Sequence, residues 1–336
     1  MDTSTPTTEP QDSTPQDSNG FGPEKVIRIA IVVTLLIAAV CLVKSMWDSM
    51  NWQYVHDAPI MVYAGYLASE GLVPYRDFFD MNVPGVYFVM LLMGKIFGWG
   101  ETGFRIFDLL CMLGIGGMTF VWTRRFGWLA AVTAAIGFPL WYIAYGAGMS
   151  LQREYMAMVP FAAVLMASTM KTDGKPFIRF VLAGIFTGVA MLIKPTMILL
   201  AVPVFIYLMS ESKESGNRQK LRLGLIGGVV LPLVATLVYL IVTGSLGAFL
   251  DIVFGYWPLY TGMTRWHETI GGWDRFDYIV QSTMSGLTGY YLPAAVVGLI
   301  VLGRDESHKR VTRMLGGVLV AAAIYPAFSG QFFGYH

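Results

Sequence analysis

Apolar positions gather into runs near residues 29–46, 106–121, 129–145, 155–170, 177–193, 196–209, 223–242, 287–302 and 314–328. A run of that length reads as a helix able to cross a bilayer, and backbone groups inside lipid must be satisfied within a helix or a closed barrel. The pattern predicts an all-α, polytopic transmembrane helical bundle of about nine spans, with soft boundaries where a run is shorter than about 20 residues.

Polar positions set the orientation. With the N-terminus inside, Lys25, Arg28, Arg124, Arg125, Lys171, Lys175, Arg179, Lys213, Arg218, Lys220, Arg222, Arg304, Lys309, Arg310 and Arg313 fall on one side, mostly in short loops. This is the cytoplasmic side by the positive-inside rule. The opposite side keeps Lys44, Arg76, Lys95, Arg105, Arg153, Lys194, Arg265 and Arg275, mostly beside acidic residues. The run 86–99, VYFVMLLMGKIFGW, is also apolar, but it has about 14 residues and contains Lys95, and runs of that length more often lie at an interface. Counting it as a span would invert every later loop against the charge rule, so it is placed on the outer membrane surface. Two large outer loops result, residues 47–105 and 244–286.

Residues 1–24, rich in Thr, Ser, Pro, Gln and Asp, have no apolar face and read as a disordered cytoplasmic tail ahead of a transmembrane domain over 25–336. They are too polar and acidic for a signal peptide. The chain stops at SGQFFGYH, where Gln331, Tyr335 and His336 would just reach the outer side, which reads as a C-terminal truncation.

Composition agrees: 55% of residues are hydrophobic, 13% are charged, and mean hydropathy is +0.57. A net charge of +1 excludes nucleic acid as a partner bound by charge. Cys41 and Cys111 lie in apolar runs and read as buried thiols rather than a disulfide or metal pair. No P-loop, GxSxG or strand-borne GxGxxG motif is present, which argues against nucleotide and soluble hydrolase chemistry.

Candidate chemistry concentrates in HDAPIMVYAGYLASEGLVPYRDFFDMNVPGVY, residues 56–87, just after the first span. Asp57 stands at the lipid boundary, where a carboxylate can take a proton from an acceptor hydroxyl as its oxygen attacks a sugar carbon. It also suits a helix N-cap with Pro59 at an early helical position, and the two roles are compatible. A phosphate leaving group needs no second acid, in contrast to paired-carboxyl glycoside hydrolysis, but it does need cations. Arg105, Arg153 and Lys194 would form a phosphate-binding rim if they converge, and the alternative is interface anchors that snorkel. Asp77 and Asp80 flank Phe78 and Phe79, and a salt-bridged loop with Arg76 is the plainer reading of that group. His56, His267 and His336 lack metal-ligand spacing, so no metal site is assigned, although Asp57, Asp77 or Asp80 could offer oxygen to a divalent cation. Trp257, Trp266 and Trp273 in the second outer loop suit an aromatic belt or a sugar-stacking surface.

His56 and Asp57, Gly71, Pro74 to Asp77, Asn82, Pro84, Gly85 and Tyr87, then Phe97 and Gly98 before Arg105, Gln152 to Glu154, and Lys194 with Pro195 together resemble the polytopic glycosyltransferases of the C superfamily. The resemblance lies with the group that includes protein O-mannosyltransferases and aminoarabinose transferases. It implies inverting transfer of a sugar from a polyprenyl-phosphate donor to a glycan, lipid or protein acceptor on the outer face of a bacterial inner membrane. It places Asp57 as general base and Glu154 as a second acid. Ala58 departs from the Asp-Glu pair of many relatives. Arg76, Arg105, Arg153 and Lys194 are the candidate phosphate contacts, and Tyr75, Tyr87 and Gln152 are candidates for sugar hydroxyls. The rival readings are a lipid or solute transporter or flippase, which would need polar residues lining a path through the spans, and a non-catalytic membrane subunit of a glycan-assembly complex.

Overall fold

The computed structural model describes residues 22–329 apart from 171, 173, 174, 214–216, 265–267 and 285–287. Most of the polar tail, the C-terminal Gln331, Tyr335 and His336, and Arg265, Trp266 and His267 therefore lie outside the described residues.

The described chain is helical throughout, and its only β contacts are two isolated bridges, Pro74 with Phe78 and Met263 with Thr269. The helices are α1 (Pro23–Ser49), α2 (Ala58–Ser69), α3 (Pro84–Phe97), α4 (Glu101–Thr123), α5 (Trp128–Ala144), α6 (Arg153–Thr169), α7 (Pro176–Ile193) and α8 (Ile198–Ser212). They continue with α9 (Arg218–Val242), α10 (Leu246–Asp251), a π-helical turn (Ile252–Tyr256), α11 (Trp257–Thr261), α12 (Gly272–Met284), α13 (Thr288–Gly303) and α14 (Lys309–Ser329). Each predicted apolar run coincides with one of these helices. α1 begins earlier than the run at Ile29, because Pro23 occupies the first helical turn, where its missing N–H costs nothing.

Five helical stretches, 23–49, 101–126, 176–193, 195–212 and 218–242, are long and apolar enough to cross a membrane. α2 and α3, at 12 and 14 residues, reach only about 18 and 21 Å, short of a hydrocarbon core of about 30 Å. Both fall within residues 47–105, the segment expected to form the first outer loop.

α7 is the packing centre, touching α3, α6, α8 and α9. Its contact with α9 depends on missing side chains. A Cβ on Gly184 would stand 2.3 Å from the Leu225 carbonyl oxygen, and one on Gly228 would stand 2.4 Å from that of Val181. Small residues let two helices in lipid approach to backbone contact and gain dispersion energy along their length. α1 instead touches mainly α5 and leaves most of its apolar surface outward. Cys41 is consequently exposed on that lipid-facing side, which corrects the expectation of a buried thiol.

The segments 47–105 and 244–286 meet. Phe249 packs on Tyr75 at 5.1 Å between ring centroids, Tyr256 packs on Phe79 at 5.4 Å, and the Trp257 indole N–H donates to the Met81 carbonyl at 2.9 Å. A second apolar cluster of Ala64, Tyr75, Tyr87, Leu240 and Ile252 seals the junction.

Candidate active site

Three short connections build the site, and each carries a backbone constraint just ahead of a charged residue. His56, with φ +53°, precedes Asp57, and Leu151, with φ +48°, precedes Gln152, Arg153 and Glu154. Left-handed backbone in non-glycine residues is sparsely populated, costs of order 1–3 kcal/mol, and persists where surrounding contacts impose it. Tyr75, with φ +70°, turns the first outer loop toward Asp80 and Asn82.

Close approaches then join the three. The His56 ring lies against Gly148, where a Cβ would come within 2.8 Å of the imidazole, so the Asp57 turn is seated on the turn that leads into α6. Gly85 at the start of α3 sits on the end of α7, its absent Cβ only 2.3 Å from the Leu192 oxygen. Asn82 is thereby brought beside Arg153, which donates from Nη1 to Asn82 Oδ1 at 2.8 Å. Lys194, just beyond α7, forms a largely buried ion pair with Glu154. Asp57 is near enough to Lys194 to favour its charged form. The result is a compact arrangement of Asp57, Glu154 and Lys194 with Arg153, Asn82 and Asp80 at its edge.

The electrostatics are those of a partly dehydrated pocket. Burial pushes the Lys194 ammonium below its ordinary pKa, and the Glu154 carboxylate opposes that shift. Burial likewise raises the Asp80 carboxyl, against hydrogen bonds from Asn82 N–H at 2.9 Å and Nδ2 at 2.8 Å and the charge of Arg153. Asp57 occupies the N-cap position of α2, yet its side chain makes no capping hydrogen bond. The carboxylate is therefore not engaged in the structural role its position would allow.

An apolar cavity of about 490 Å³ lies between α3, α4, α6 and α7. Its lining includes Val89, Phe107, Met156, Val159, Phe186 and Ile193. Met156 is two residues along α6 from Glu154 and so faces away from it, and Ile193 directly precedes Lys194, so the charged group and the cavity share the helices α6 and α7 but not a lining.

Residues 82–241 match the family model described as dolichyl-phosphate-mannose-protein mannosyltransferase. The match covers just under half of the chain and supports a membrane glycosyltransferase of the C superfamily. No curated protein matches the chain, and neither does any solved structure. The matched segment contains Asn82, Arg153, Glu154 and Lys194, while Asp57 and the 75–80 turn precede it.

The residues singled out from sequence separate into those at the charged group and those that support it. Arg105 is not on the rim with Arg153 and Lys194. It is 1% exposed and forms an ion pair with Asp108, donates to Ser150 Oγ at 2.7 Å and Ser49 Oγ at 3.1 Å, and lies 4.4 Å from the Trp52 ring centroid. A snorkelling side chain would instead leave its guanidinium at the surface. Arg76 is exposed and is held by Asp77 and the Thr243 carbonyl, at 2.8 Å, so it ties the first outer loop to the end of α9. Asp77 accepts from Arg76 and from the Val73 N–H at 2.7 Å, contacts that hold its carboxyl down to about 2.

Tyr75 and Tyr87 are buried, and both hydroxyls donate to the Asn82 carbonyl, at 2.6 and 3.1 Å. Their burial raises both phenols far above the ordinary value, and the rings buttress the Asn82 turn rather than face the pocket. Gln152 is fully buried and donates from Nε2 to the Gly148 carbonyl at 3.1 Å. Asp57, Asp77 and Asp80 do not assemble into a cation site, and the described residues contain no group of three His, Cys, Asp or Glu placed to hold a metal. Trp257 belongs to the loop junction, whereas Trp273 is 82% exposed.

The structure adds Asp108 and Tyr325, which were not singled out from the sequence. Asp108 carried a signal, since it follows Arg105 by three residues, the spacing of a same-face helical pair. Tyr325 carried none, because α14 meets the pocket only through folding, and its buried side chain lies within electrostatic reach of Glu154 and Arg153.

Proposed function

We propose that this protein moves a sugar from a polyprenyl-phosphate donor to an acceptor hydroxyl at the outer end of the bundle, with Asp57 as the general base. One observation carries the proposal: the largely buried Lys194–Glu154 pair has Arg153 and Asp57 within electrostatic reach of Lys194, at the ends of α6 and α7. A sugar phosphate needs such a combination of cations for the leaving group and a carboxylate for the acceptor proton.

In this reading the donor phosphate meets Lys194 and Arg153. Arg153 suits a phosphate because its guanidinium can present two parallel N–H donors. The acceptor oxygen attacks the anomeric carbon opposite the phosphate, its proton passes to the Asp57 carboxylate, and the bond to the phosphate oxygen breaks with its electron pair retained by the phosphate. One displacement inverts the configuration, and the departing anion needs no proton from an acid. Glu154 then serves by holding Lys194 charged and in place against the cost of burial. The family description supports a dolichyl-type phosphate donor, and the cluster's position at the outer ends of the spans supports an outer-face acceptor. The positive-inside distribution supports insertion in a plasma membrane with the N-terminus inside.

The test is transfer in isolated membranes from a panel of radiolabelled polyprenyl-phosphate sugars, comparing wild type, Asp57→Asn and empty vector. Loss of a positioned base is expected to slow transfer by about 10²- to 10⁴-fold. Transfer by Asp57→Asn at a near wild-type rate would remove Asp57 from the mechanism. The absence of labelled product from folded wild type with every donor would sink the donor assignment.

A further inference from the structure

Asp108 has no part in the chemistry above, yet it is a fully buried carboxylate in the outer half of α4. Ionisable side chains at such depth are costly and are retained where they hold something in place or take part in function. Its contacts reach the one turn that the proposed mechanism needs to be fixed. Oδ2 pairs with Arg105, while Oδ1 accepts from the Tyr142 hydroxyl and from the Leu151 N–H at 3.3 Å. The Asp108 carbonyl accepts from the Tyr155 hydroxyl at 2.9 Å, and the Tyr142 and Tyr155 rings stack at 3.9 Å. Arg105 in turn donates to Ser150 Oγ at 2.7 Å. One ion pair thus holds Ser150 and Leu151 from below, and Leu151 is a left-handed residue directly ahead of Gln152, Arg153 and Glu154.

We propose that the Asp108–Arg105 pair is the positioning element for the donor-phosphate contacts. It clamps the 150–151 turn, imposes the unfavourable backbone of Leu151, and so sets where α6 begins and where Arg153 and Glu154 point. A leucine left to itself would relax out of that conformation. Relaxation would rotate the first turn of α6 away from Lys194 on α7. The pair lies beneath the turn and touches no substrate atom, so its role is indirect. This inference rests on the transferase reading for its kinetic consequence, but its structural part is independent of substrate.

Two readouts test it on the full-length protein. The first is hydrogen exchange across residues 149–156 without substrate, and the second is steady-state transfer with a labelled polyprenyl-phosphate sugar, separating KM from kcat. The variant is the double change Arg105→Met with Asp108→Leu, because replacing a buried ion pair by apolar groups of similar size often preserves folding. With helical content and melting retained, exchange is expected to speed up in 149–156, and kcat/KM to fall by about 10- to 100-fold, chiefly through donor KM, as for a group displaced by an ångström. A purely structural role would reduce the active fraction and leave the donor KM unchanged.

Unchanged exchange in that stretch together with an unchanged KM overturns the proposal. If the double variant does not fold, Tyr142→Phe removes one hydrogen bond to Oδ1 without stranding a charge. It should move both readouts in the same direction by less, and no movement in either is equally decisive against the proposal. If wild type transfers no sugar, the functional reading has failed on its own, and the exchange measurement still decides whether the pair holds the turn.

Discussion

Among the described residues, two arginine–aspartate pairs serve opposite ends. Arg76 and Asp77 are chain neighbours in a loop, with side chains 48% and 25% exposed. Arg105 and Asp108 are a helical turn apart, with side chains 1% and 0% exposed. From the sequence, Arg76 and Arg105 were both candidate phosphate contacts, with a salt-bridged loop as the plainer reading of Arg76 and Asp77. Yet Arg76 is spent on its neighbour and on the Thr243 carbonyl, whereas the hidden pair supports the turn that carries Arg153 and Glu154. Charge accessible to solvent is screened and adaptable, so it can be replaced. Charge removed from water must be matched by fixed partners, and those partners become part of the architecture.

The sharpest way to break this comparison is to strip one partner from each pair. Asp108→Ala leaves the Arg105 guanidinium buried without its counter-ion, and is expected to cost about 3–5 kcal/mol. The measurement is thermal unfolding in detergent micelles, followed by helical circular dichroism. Asp77→Ala measured in parallel should barely move the transition. Equal losses from the two variants would mean that burial does not distinguish the pairs.

Much of the helical architecture was legible because lipid imposes a simple rule: apolar length becomes helix. The runs at 106–121, 177–193 and 223–242 became α4, α7 and α9, and the positive-inside bias separated Arg124 and Arg125 from Arg153 and Lys194. Part of the pocket was legible as well. Asp57, Arg153 and Lys194 were named from residue type and position at span ends and Glu154 from the family resemblance, and Glu154 pairs with Lys194 while Arg153 and Asp57 lie within electrostatic reach of Lys194. What the sequence hid was partnership. Nothing local in PYRDFFDMNVPGVY says that the hydroxyls of Tyr75 and Tyr87 will be turned inward to the Asn82 carbonyl, since that turn is closed over by Phe249 and Trp257 from far along the chain. Arg105 was read as a rim cation if it converged with Arg153 and Lys194, or else as a snorkelling interface anchor, and only the meeting of α1, α4, α5 and the turn before α6 supplies Ser49, Asp108, Tyr142 and Ser150 to its network.

A second strain on the comparison comes from Gly85, which joins the loop of the exposed pair to the helix that leads to Lys194. A methyl group there would overlap the Leu192 carbonyl, which is backbone and cannot swing aside. Gly85→Ala is expected to cost about 1–3 kcal/mol by forcing α3 off α7. It should also depress transfer beyond the loss of folded protein, because Asn82 moves with α3 while Lys194 stays with α7. Rate per folded molecule, with folded protein quantified by size-exclusion recovery, tests this, and an unchanged value would show that Asn82 and Lys194 need not be in register.

Asp80 gives a smaller, pH-dependent effect. Burial raises its folded pKa above the ordinary carboxylate value. Its contribution to stability is therefore fully present below the unfolded pKa, near 3.9, and is lost as pH rises through the folded value. Asp80→Asn, which stays neutral and can still bond Asn82, should remove that loss. The melting temperature of wild type relative to Asp80→Asn is expected to fall as the buffer is taken from about pH 4 toward neutrality, the range into which a raised carboxylate moves its titration. A difference that is flat across that range would mean that Arg153 and Asn82 fully offset the burial.

The smallest effect belongs to the exposed pair, and its sign is the reverse. Hydrogen bonds from Arg76 and from the Val73 N–H hold the Asp77 carboxyl down to about 2. A lowered carboxyl contributes stability that is present above the unfolded pKa, near 3.9, and lost as pH falls toward 2. The group is solvent-exposed, so the loss should be confined to the turn and leave the bundle intact. Pepsin is active in that window and favours aromatic pairs, and Phe78–Phe79 sits directly after Asp77. Cleavage there, normalised to an unfolded peptide of the same sequence, should accelerate in wild type as pH drops from 4 to 2. In Asp77→Asn it should already be fast at pH 4 and change little. Parallel acceleration in both proteins would mean that Arg76 and Asp77 do not hold the turn, and the exposed pair would then contribute neither to the loop nor to the pocket.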